Sequence, residues 1–380
     1  MSTIPNNEFE PDIASPPGET LLEVLSDRRM TQAALAKRTG RPRKTINEII
    51  RGKAEITAET AIQLEHVLGT PAHFWNNRER QYRETLARLE ERRRLEQQLD
   101  WLRMIPVQAM TREGWLPATE DPVARLRAIL RFFAVASLAL LQDRAAAVSP
   151  RFRQSAKFRV DPYAVLAWLR QGEIEAQEIT CAAFSAQEFR GNLNRIRALS
   201  CEPIEVFEPA MKQLCAEAGV ALVFVPELPG TCAWGATQWL TAGKALIQLS
   251  LRYKTDDHLW FTFFHEAGHI LIHGKRELFI ERQGGYDDRK AEDAEADAFA
   301  NNFLIPPKQM AVLRRQPPHS EAKVMAVAAR IGIAPGILVG RLQHEDLLPF
   351  RSHLNGLKRR LEFVSKIERE GRRGRKKEQE

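Results

Sequence analysis

The sequence predicts a multidomain protein with an all-α N-terminal domain, a helical linker region and an α+β C-terminal domain. At 380 residues the chain is too long for one ordinary domain and long enough to bury at least two hydrophobic cores. Short amphipathic helices broken by small turns fill the chain between Gly18 and about Trp75. Patterns typical of β-strands lie at residues 219–228 and 244–253, which places the sheet in the C-terminal half.

Changes in composition along the chain indicate its segments. The first residues are rich in Pro, Asn and Ser, and a highly charged stretch from Arg78 to Arg103 predicts a solvated connecting helix. The last residues are basic, which favours a solvated tail over a nucleic-acid contact. We predict a disordered arm at 1–17, the all-α domain at 18–78, a helical connector at 79–200, the α+β domain at 201–345 and a basic C-terminal helix and tail at 346–380.

The composition is that of a soluble globular protein, with 44% hydrophobic and 28% charged residues. The longest apolar run, AILRFFAVASLALL at 128–141, contains Arg131 and is shorter than the ~18 residues of a membrane span, so it predicts one buried helix. The N-terminus lacks the features of a secretory signal, so we expect a cytoplasmic protein with no membrane partner. The four cysteines are far apart and form no C-x-x-C pair, which predicts free thiols.

Residues 31–50 fit two helices joined by a tight turn. The pattern predicts a helix from Thr31, a turn at Thr39-Gly40-Arg41 and a second helix from about Pro42 to Ile50. The start of the second helix faces outward, and in helix-turn-helix proteins this end enters the major groove of DNA. The inward apolar positions are Leu35, Ala36, Ile46 and Ile49.

Basic charge is concentrated in the same part of the chain. Nine basic residues between Arg28 and Lys53 stand against Glu48, a local net charge of +8 in a chain of net charge +7. Basic side chains at the start of the second helix suit guanine edges or phosphates, and an asparagine there suits adenine. Polar and basic side chains on either side of it suit the DNA backbone. The predicted DNA contacts are Arg43 and Lys44 on guanine edges or phosphates, Asn47 on adenine, and Gln32, Arg41 and Lys53 on the backbone. The alternative is a solvated basic face.

The stretch FTFFHEAGHILIH at 261–273 sets two histidines four residues apart on one predicted helix face. Residues i and i+4 of a helix bring their Cβ atoms to roughly 5–6 Å, so His265 and His269 can bind one metal ion. Glu266 stands beside them, where a general base is needed. The alternative is an apolar helix that happens to contain histidines.

A catalytic zinc ion needs a third protein ligand, which we expect from the acidic residues downstream. Asp293 and Asp297 are i, i+4 partners on a helix predicted from about Arg289 to Leu304. The first can therefore bind the ion while the second hydrogen-bonds a ligand imidazole. His273 continues the histidine face at the end of its helix, where a capping or surface role is favoured over metal binding.

The motifs FTFFHEAGHILIHG and EDAEADAFANNFLIPP resemble the ImmA/IrrE family of metallopeptidases, and the resemblance covers roughly residues 200–310. It implies a zincin-like (gluzincin) α+β domain, a Zn²⁺ cofactor and a zinc endopeptidase in which Glu266 takes the proton of a zinc-activated water. The family has Glu at the third-ligand position where this chain has Asp293, which is one methylene shorter. Glu292 and Glu295 are therefore alternatives for the third ligand.

Two further features bear on peptide hydrolysis. Tyr286, in the loop after the histidine helix, is a candidate donor to the oxyanion. The stretch KALIQLSLRY at 244–253 predicts a β-strand that is either the edge to which an extended peptide is added or an ordinary core strand.

The stretches TINEIIRGK and TAETAIQLEHVLGTPAHFW are similar to the XRE-type helix-turn-helix of HigA-like antitoxins. The similarity implies a homodimer that binds double-stranded, palindromic operator DNA. One hypothesis is a DNA-binding transcriptional regulator fused to a zinc endopeptidase that cleaves a regulatory protein of the repressor or antitoxin type. The other is an antitoxin-like regulator whose metallopeptidase-fold domain is a non-catalytic sensor or partner-binding module, with a toxin as one possible partner.

Overall fold

The computed structural model describes residues 12–148, 160–273, 279–282 and 290–363. The chain divides into two compact units, Met1–Leu99 and Asp100–Glu380. The first is all-helical and the second combines helices with one sheet, so the predicted multidomain fold class is confirmed. The residue limits of the five predicted segments stay predictions.

Capping residues explain where the helices of the first unit begin and end. At the start of the second helix the Thr31 hydroxyl accepts the Ala34 N–H at 3.1 Å, and Gly40 ends the same helix with φ 70°. The five helices are α1 (Pro17–Asp27), α2 (Gln32–Thr39), α3 (Arg43–Ile50), α4 (Ala58–Leu68) and α5 (Ala72–Glu96). They enclose one apolar core that includes Leu21, Leu25, Leu35, Ile46, Ile49, Leu64, Leu68 and Trp75.

The charged helix predicted at 78–103 has different limits in the structure. Its helix, α5, starts before residue 78 and is followed by a 3₁₀ turn at Leu99–Arg103. The first turns of α5 belong to the core of the first unit, because Trp75 is fully buried and the Glu79 carboxylate accepts the Ile56 N–H at 3.1 Å.

The single buried helix predicted at 128–141 is instead two helices. Ala134 ends the first of them with φ 50°, and the second begins at Leu138. The break turns the chain so that Leu138 and Leu141 are both buried. The helices that open the second unit are α6 (Val107–Arg112), α7 (Pro122–Phe133), α8 (Leu138–Val148), α9 (Pro162–Gln177), α10 (Ala186–Ala198) and α11 (Ile204–Glu217).

A mixed sheet of four strands lies at the centre of the second unit. The strands are β1 (Val220–Phe224), β2 (Ala233–Thr241), β3 (Lys244–Leu249) and β4 (Phe279–Arg282), in the order β1-β3-β2-β4. β1 and β3 are parallel, while β2 is antiparallel to both β3 and β4. The sequence predicted β1 and β3 and missed β2 and β4.

The strand predicted at 244–253 is a core strand, and the alternative of a peptide-binding edge is wrong. β3 pairs with β1 on one side and β2 on the other, so its backbone hydrogen-bonding groups are already used within the sheet. Even its polar residue is internal, because Gln248 is fully buried and its amide donates to the Trp168 carbonyl at 2.7 Å.

Helices cover both faces of the sheet. One face packs against α9 through Val165 and Trp168, and the other packs against α12 through Trp260, Phe263 and Phe264. The remaining helices are α12 (Asp256–Ile272), α13 (Lys290–Leu304), α14 (Pro307–Arg315), α15 (Glu321–Ile331) and α16 (Pro335–His344), followed by a 3₁₀ turn at His353–Leu357.

Within the described residues, no single helix is long and apolar enough to span a membrane, while the bent pair α15 and α16 passes that test by length and composition alone.

The four cysteines are free, as predicted. Cys201 is exposed, whereas burial raises the pKa of the Cys215 thiol.

Candidate functional site

Helix α12 is anchored at its N-terminus by two buried acids. Asp256 and Asp257 occupy its first turn, where a carboxylate interacts favourably with the positive end of the helix dipole. The Arg359 Nε lies 3.0 Å from Asp256 Oδ2, and the Lys358 Nζ lies 2.6 Å from Asp257 Oδ2. Burial raises the pKa of Asp256 although the hydrogen bonds and charge of Arg359 oppose that rise. Lys358 and Arg359 therefore fix the start of the helix that carries both histidines.

The two histidines of α12 converge in a buried position. His265 is 3% and His269 2% exposed, and their Nε2 atoms are 2.9 Å apart. Asp293 on α13 places its Oδ1 3.6 Å from His269 Nε2, and the ligand atoms of all three residues lie within 4.8 Å of one another. A tetrahedral zinc ion with bonds of about 2.0–2.1 Å separates its ligand atoms by roughly 3.3 Å. The spacing of the three side chains therefore suits one small cation.

The outer nitrogens of both imidazoles are hydrogen-bonded, and the partner of His265 fixes the tautomer of that ring. His265 Nδ1 lies 2.8 Å from Asp297 Oδ1, the contact expected of that residue. A carboxylate only accepts, so His265 carries its proton on Nδ1 and presents a lone pair at Nε2. His269 Nδ1 lies 2.9 Å from His273 Nδ1. His265 Nε2 therefore directs a lone pair at His269 Nε2, and a metal ion can bind between the two nitrogens.

Close packing of α12 and α13 compensates for the short reach of aspartate. A Cβ placed on Gly268 would lie 3.2 Å from the Ala296 Cα, so glycine permits the two helices to approach. Of the predicted alternatives, Glu295 instead places its Oε2 3.2 Å from His273 Nε2. The described residues that could hold a metal together are His265, His269 and Asp293, while Tyr286 lies outside the described residues.

Strand β2 supports Glu266 from the sheet side. Glu266 is fully buried, and its Oε2 accepts a hydrogen bond from the Thr237 hydroxyl at 2.6 Å. A Cβ on Gly235 would lie 2.5 Å from Glu266 Oε1, so only glycine leaves room for the carboxylate. Neither Thr237 nor Gly235 was predicted from the sequence. The available sequence signal was the group of small and polar residues in WGATQW. It could not be interpreted because these residues were not known to form strand β2.

Aromatic side chains cluster beside the first turn of α12. His258 stacks on Tyr253 with ring centroids 4.2 Å apart, and Trp234 lies 5.5 Å from the same Tyr253 ring. Thr262, one turn before Glu266, lines a small open cavity together with Trp234, Tyr253 and His258. Burial lowers the pKa of His258, and the charges of Lys358 and His344 add to that effect while Asp257 opposes it.

The predicted DNA contacts lie on and around α3. Arg43, Lys44 and Lys53 are exposed, and Gln32 and Asn47 are half-buried. The sixth residue, Arg41, is held against α4, where its Nε donates to Gln63 Oε1 at 2.6 Å and its Nη2 lies 3.4 Å from Glu59.

Two family models match separate parts of the chain. Residues 23–75 match the model described as helix-turn-helix, and residues 237–343 match the model described as IrrE N-terminal-like domain, a metallopeptidase family. No curated protein matches.

Several solved structures are similar to the N-terminal part. An addiction module antidote protein of the HigA family from Coxiella burnetii is 30% identical, covering 22% of this chain and 92% of that chain with a TM-score of 0.21. Pseudomonas aeruginosa antitoxin HigA, solved with the higBA promoter, is 31% identical over 22% of this chain and 94% of that chain, with a TM-score of 0.21. PA4674 from the same organism, solved with 18 bp of its operator DNA, is 34% identical over 20% and 82%, with a TM-score of 0.19.

The two matches do not overlap, and each coincides with one group of candidate residues: the exposed basic side chains around α3, and the histidines of α12 with Asp293. Residues 23–75 therefore belong to the XRE-type helix-turn-helix family and residues 237–343 to the IrrE-like metallopeptidase family, and this chain joins the two.

Proposed function

We propose that the chain is a DNA-binding transcriptional regulator whose second unit is a zinc-dependent endopeptidase that cleaves a regulatory protein. The observation that carries the enzymatic part is the convergence of His265, His269 and Asp293, with Glu266 on the same helix beside the first histidine. Three protein ligands leave a fourth position for water, which is the arrangement of catalytic rather than structural zinc sites.

His265, His269 and Asp293 are the residues that would hold the zinc ion. When bound, zinc lowers the pKa of a water molecule towards neutrality and polarises a carbonyl group. Asp297 accepts from His265 Nδ1, which directs Nε2 of the same imidazole to the metal ion.

Glu266 has the role of general base in this proposal. Its carboxylate is oriented by the Thr237 hydroxyl, so its position does not depend on the substrate. It takes a proton from the attacking water and returns that proton to the leaving amine. The carboxylates of Asp293 and Glu266 come from α13 and α12, which pack directly against each other.

The first unit supports binding to double-stranded operator DNA as a homodimer. α3 begins with the exposed Arg43 and Lys44, and Asn47 lies one turn later on the helix. Such side chains at the start of a recognition helix contact base edges, and Gln32, Arg41 and Lys53 would contact the backbone. The two Pseudomonas aeruginosa relatives solved with operator or promoter DNA support this assignment.

A second candidate is a regulator whose metal-binding domain is a non-catalytic sensor or partner-binding module. The complete burial of Glu266 favours it, because a general base must reach a water molecule that solvent supplies.

The substitution Glu266→Gln separates the two candidates. It removes proton abstraction while keeping side-chain shape and both imidazoles, so zinc content should stay the same and cleavage should fall by at least about 10²-fold. Operator affinity should also stay the same, since Glu266 is not in the helix-turn-helix domain. The measurements are metal analysis, operator binding and a protease assay on the proteins encoded by neighbouring genes, with His269→Ala as the variant that should lose zinc.

The same two variants are compared with wild type in a reporter assay on the protein's own promoter. If Glu266→Gln matches wild type in every inducing condition while His269→Ala alters the output, the endopeptidase is rejected and the sensor module is retained. Full zinc content in His269→Ala would reject the metal centre itself.

A further inference from the structure

His273 and Glu295 continue the hydrogen-bonded chain that begins at His269. His273 Nδ1 lies 2.9 Å from His269 Nδ1, on the side of that ring opposite to the convergent Nε2 atom. His273 Nε2 in turn lies 3.2 Å from Glu295 Oε2 on α13. The His273 side chain is 9% exposed and the Glu295 side chain 61% exposed, so this row of hydrogen bonds leads from the buried centre to the surface.

Donors and acceptors along this chain are consistent with one protonation pattern. Glu295 is an acceptor, so His273 Nε2 carries a proton and His273 Nδ1 carries a lone pair. His273 Nδ1 therefore accepts from His269, which places the proton of His269 on Nδ1 and its lone pair on Nε2. This is the tautomer that metal binding needs, and it matches the one that Asp297 imposes on His265.

We propose that His273 and Glu295 are positioning residues of the metal centre, which orient the imidazole of His269 and hold its metal-binding tautomer. The inference rests on the proposed metal centre and extends it to a second pair of residues. His273 contacts the outer nitrogen of His269 and lies outside the group whose ligand atoms converge, so it supports a ligand instead of being one.

Surface capping, the role expected for His273, does not account for both contacts. The end of α12 is closed by the backbone, where the His273 N–H donates to the His269 carbonyl at 3.1 Å. The His273 imidazole does not cap the helix, and its two nitrogens contact His269 and Glu295 instead.

The test measures the zinc affinity of the full-length chain by competition with a chromophoric chelator. His273→Leu removes the acceptor for the His269 proton, and losing such an outer partner typically weakens metal binding by about 10–100-fold. His273→Asn places an amide oxygen where Nδ1 stood, so it should restore most of the affinity. His344→Asn, an exposed histidine on α16, is the matched control and should bind zinc like wild type.

A second variant and a second readout guard against misfolding. Glu295 is exposed, so Glu295→Ala should leave folding intact by circular dichroism and still weaken zinc binding. Visible absorption of the Co²⁺-loaded chain reports the ligand set, and it should keep its band positions in His273→Asn because the ligands are unchanged.

Three outcomes would overturn the proposal in distinguishable ways. Wild-type affinity in both His273→Leu and Glu295→Ala would reject the positioning role and leave the metal centre standing. A new Co²⁺ spectrum in His273→Asn would show that His273 is itself a ligand. A wild-type chain that binds no zinc would reject the metal centre and the positioning role together, whereas zinc binding without peptide cleavage would reject neither.

Discussion

At the scale of single residues, Gly235 decides how closely strand β2 approaches helix α12. A Cβ at this position would lie 2.5 Å from Glu266 Oε1 and 2.6 Å from Thr262 Cγ2. Both neighbours are buried, so neither can turn away into solvent. The absence of a side chain at Gly235 is therefore a condition for placing the Glu266 carboxylate beside the Thr237 hydroxyl.

We expect Gly235→Ala to lower the free energy of unfolding by about 1–3 kcal/mol, the usual cost of overpacking a core. Gly243→Ala is the matched control, because a Cβ there would meet nothing within 4 Å. The control should stay within about 0.5 kcal/mol of wild type. Urea denaturation followed by tryptophan fluorescence measures both. Equal stability of the two variants would show that β2 and α12 are not tightly packed around Glu266.

At the scale of elements, the start of α12 depends on a segment close to the C-terminus. Besides the ion pairs of Lys358 and Arg359, the Asp256 N–H donates to the Arg359 carbonyl at 3.0 Å and the Leu361 N–H donates to the Lys254 carbonyl at 2.8 Å. The buried Asp256 has replaced its hydration with these contacts. The helix that carries the candidate ligands His265 and His269 is thus coupled to a residue 103 positions away.

Arg359→Met should lower the free energy of unfolding by at least about 2 kcal/mol, because it leaves the carboxylate of Asp256 buried without its cation. Arg360→Met removes the same charge from a side chain that is 77% exposed, so it should change stability by less than about 0.5 kcal/mol. Chemical denaturation of both variants at neutral pH checks the difference. A small effect of Arg359→Met would mean that water reaches Asp256.

At the scale of the whole molecule, charge is unevenly distributed. The net charge of the chain is +7, and the stretch from Arg28 to Lys53 alone carries +8. Around α3 this charge is exposed at Arg43, Lys44 and Lys53. Binding to DNA should therefore release counterions and weaken steeply as salt is raised.

We expect Lys53→Ala to weaken binding of the full chain to promoter and random duplexes alike, and to reduce the slope of log K against log salt by about 1. Asn47→Ala should mainly relax sequence preference. Lys323→Ala, an exposed lysine outside the helix-turn-helix domain, makes the same charge change and should have little effect. Fluorescence anisotropy on both duplexes at several salt concentrations measures these values. An equal loss for Asn47→Ala on both duplexes would contradict base contact.

The described fold follows the sequence best where the signal is local. The caps at Thr31 and Gly40 and the spacing of Leu35, Ile46 and Ile49 predicted α2 and α3. The apolar run at 128–141 misled because a break at Ala134 depends on what each half packs against. β2 was missed because the small and polar residues in AWGATQWLT give no regular apolar pattern. The burial of Gly235 and Thr237 comes from their position against Glu266 on α12.

The sequence by itself determined that His265, Glu266 and His269 share a helix and that two of them face one way, because this follows from the pitch of the α-helix. It also pointed to Asp293 and Asp297, one turn apart on the next helix. Only the tertiary structure decided which groups surround them. Thr237 meets Glu266 from 29 residues away, Glu295 meets His273 from 22, and Arg359 meets Asp256 from 103. Such contacts depend on how strands and helices pack, and no local period in the sequence encodes that packing.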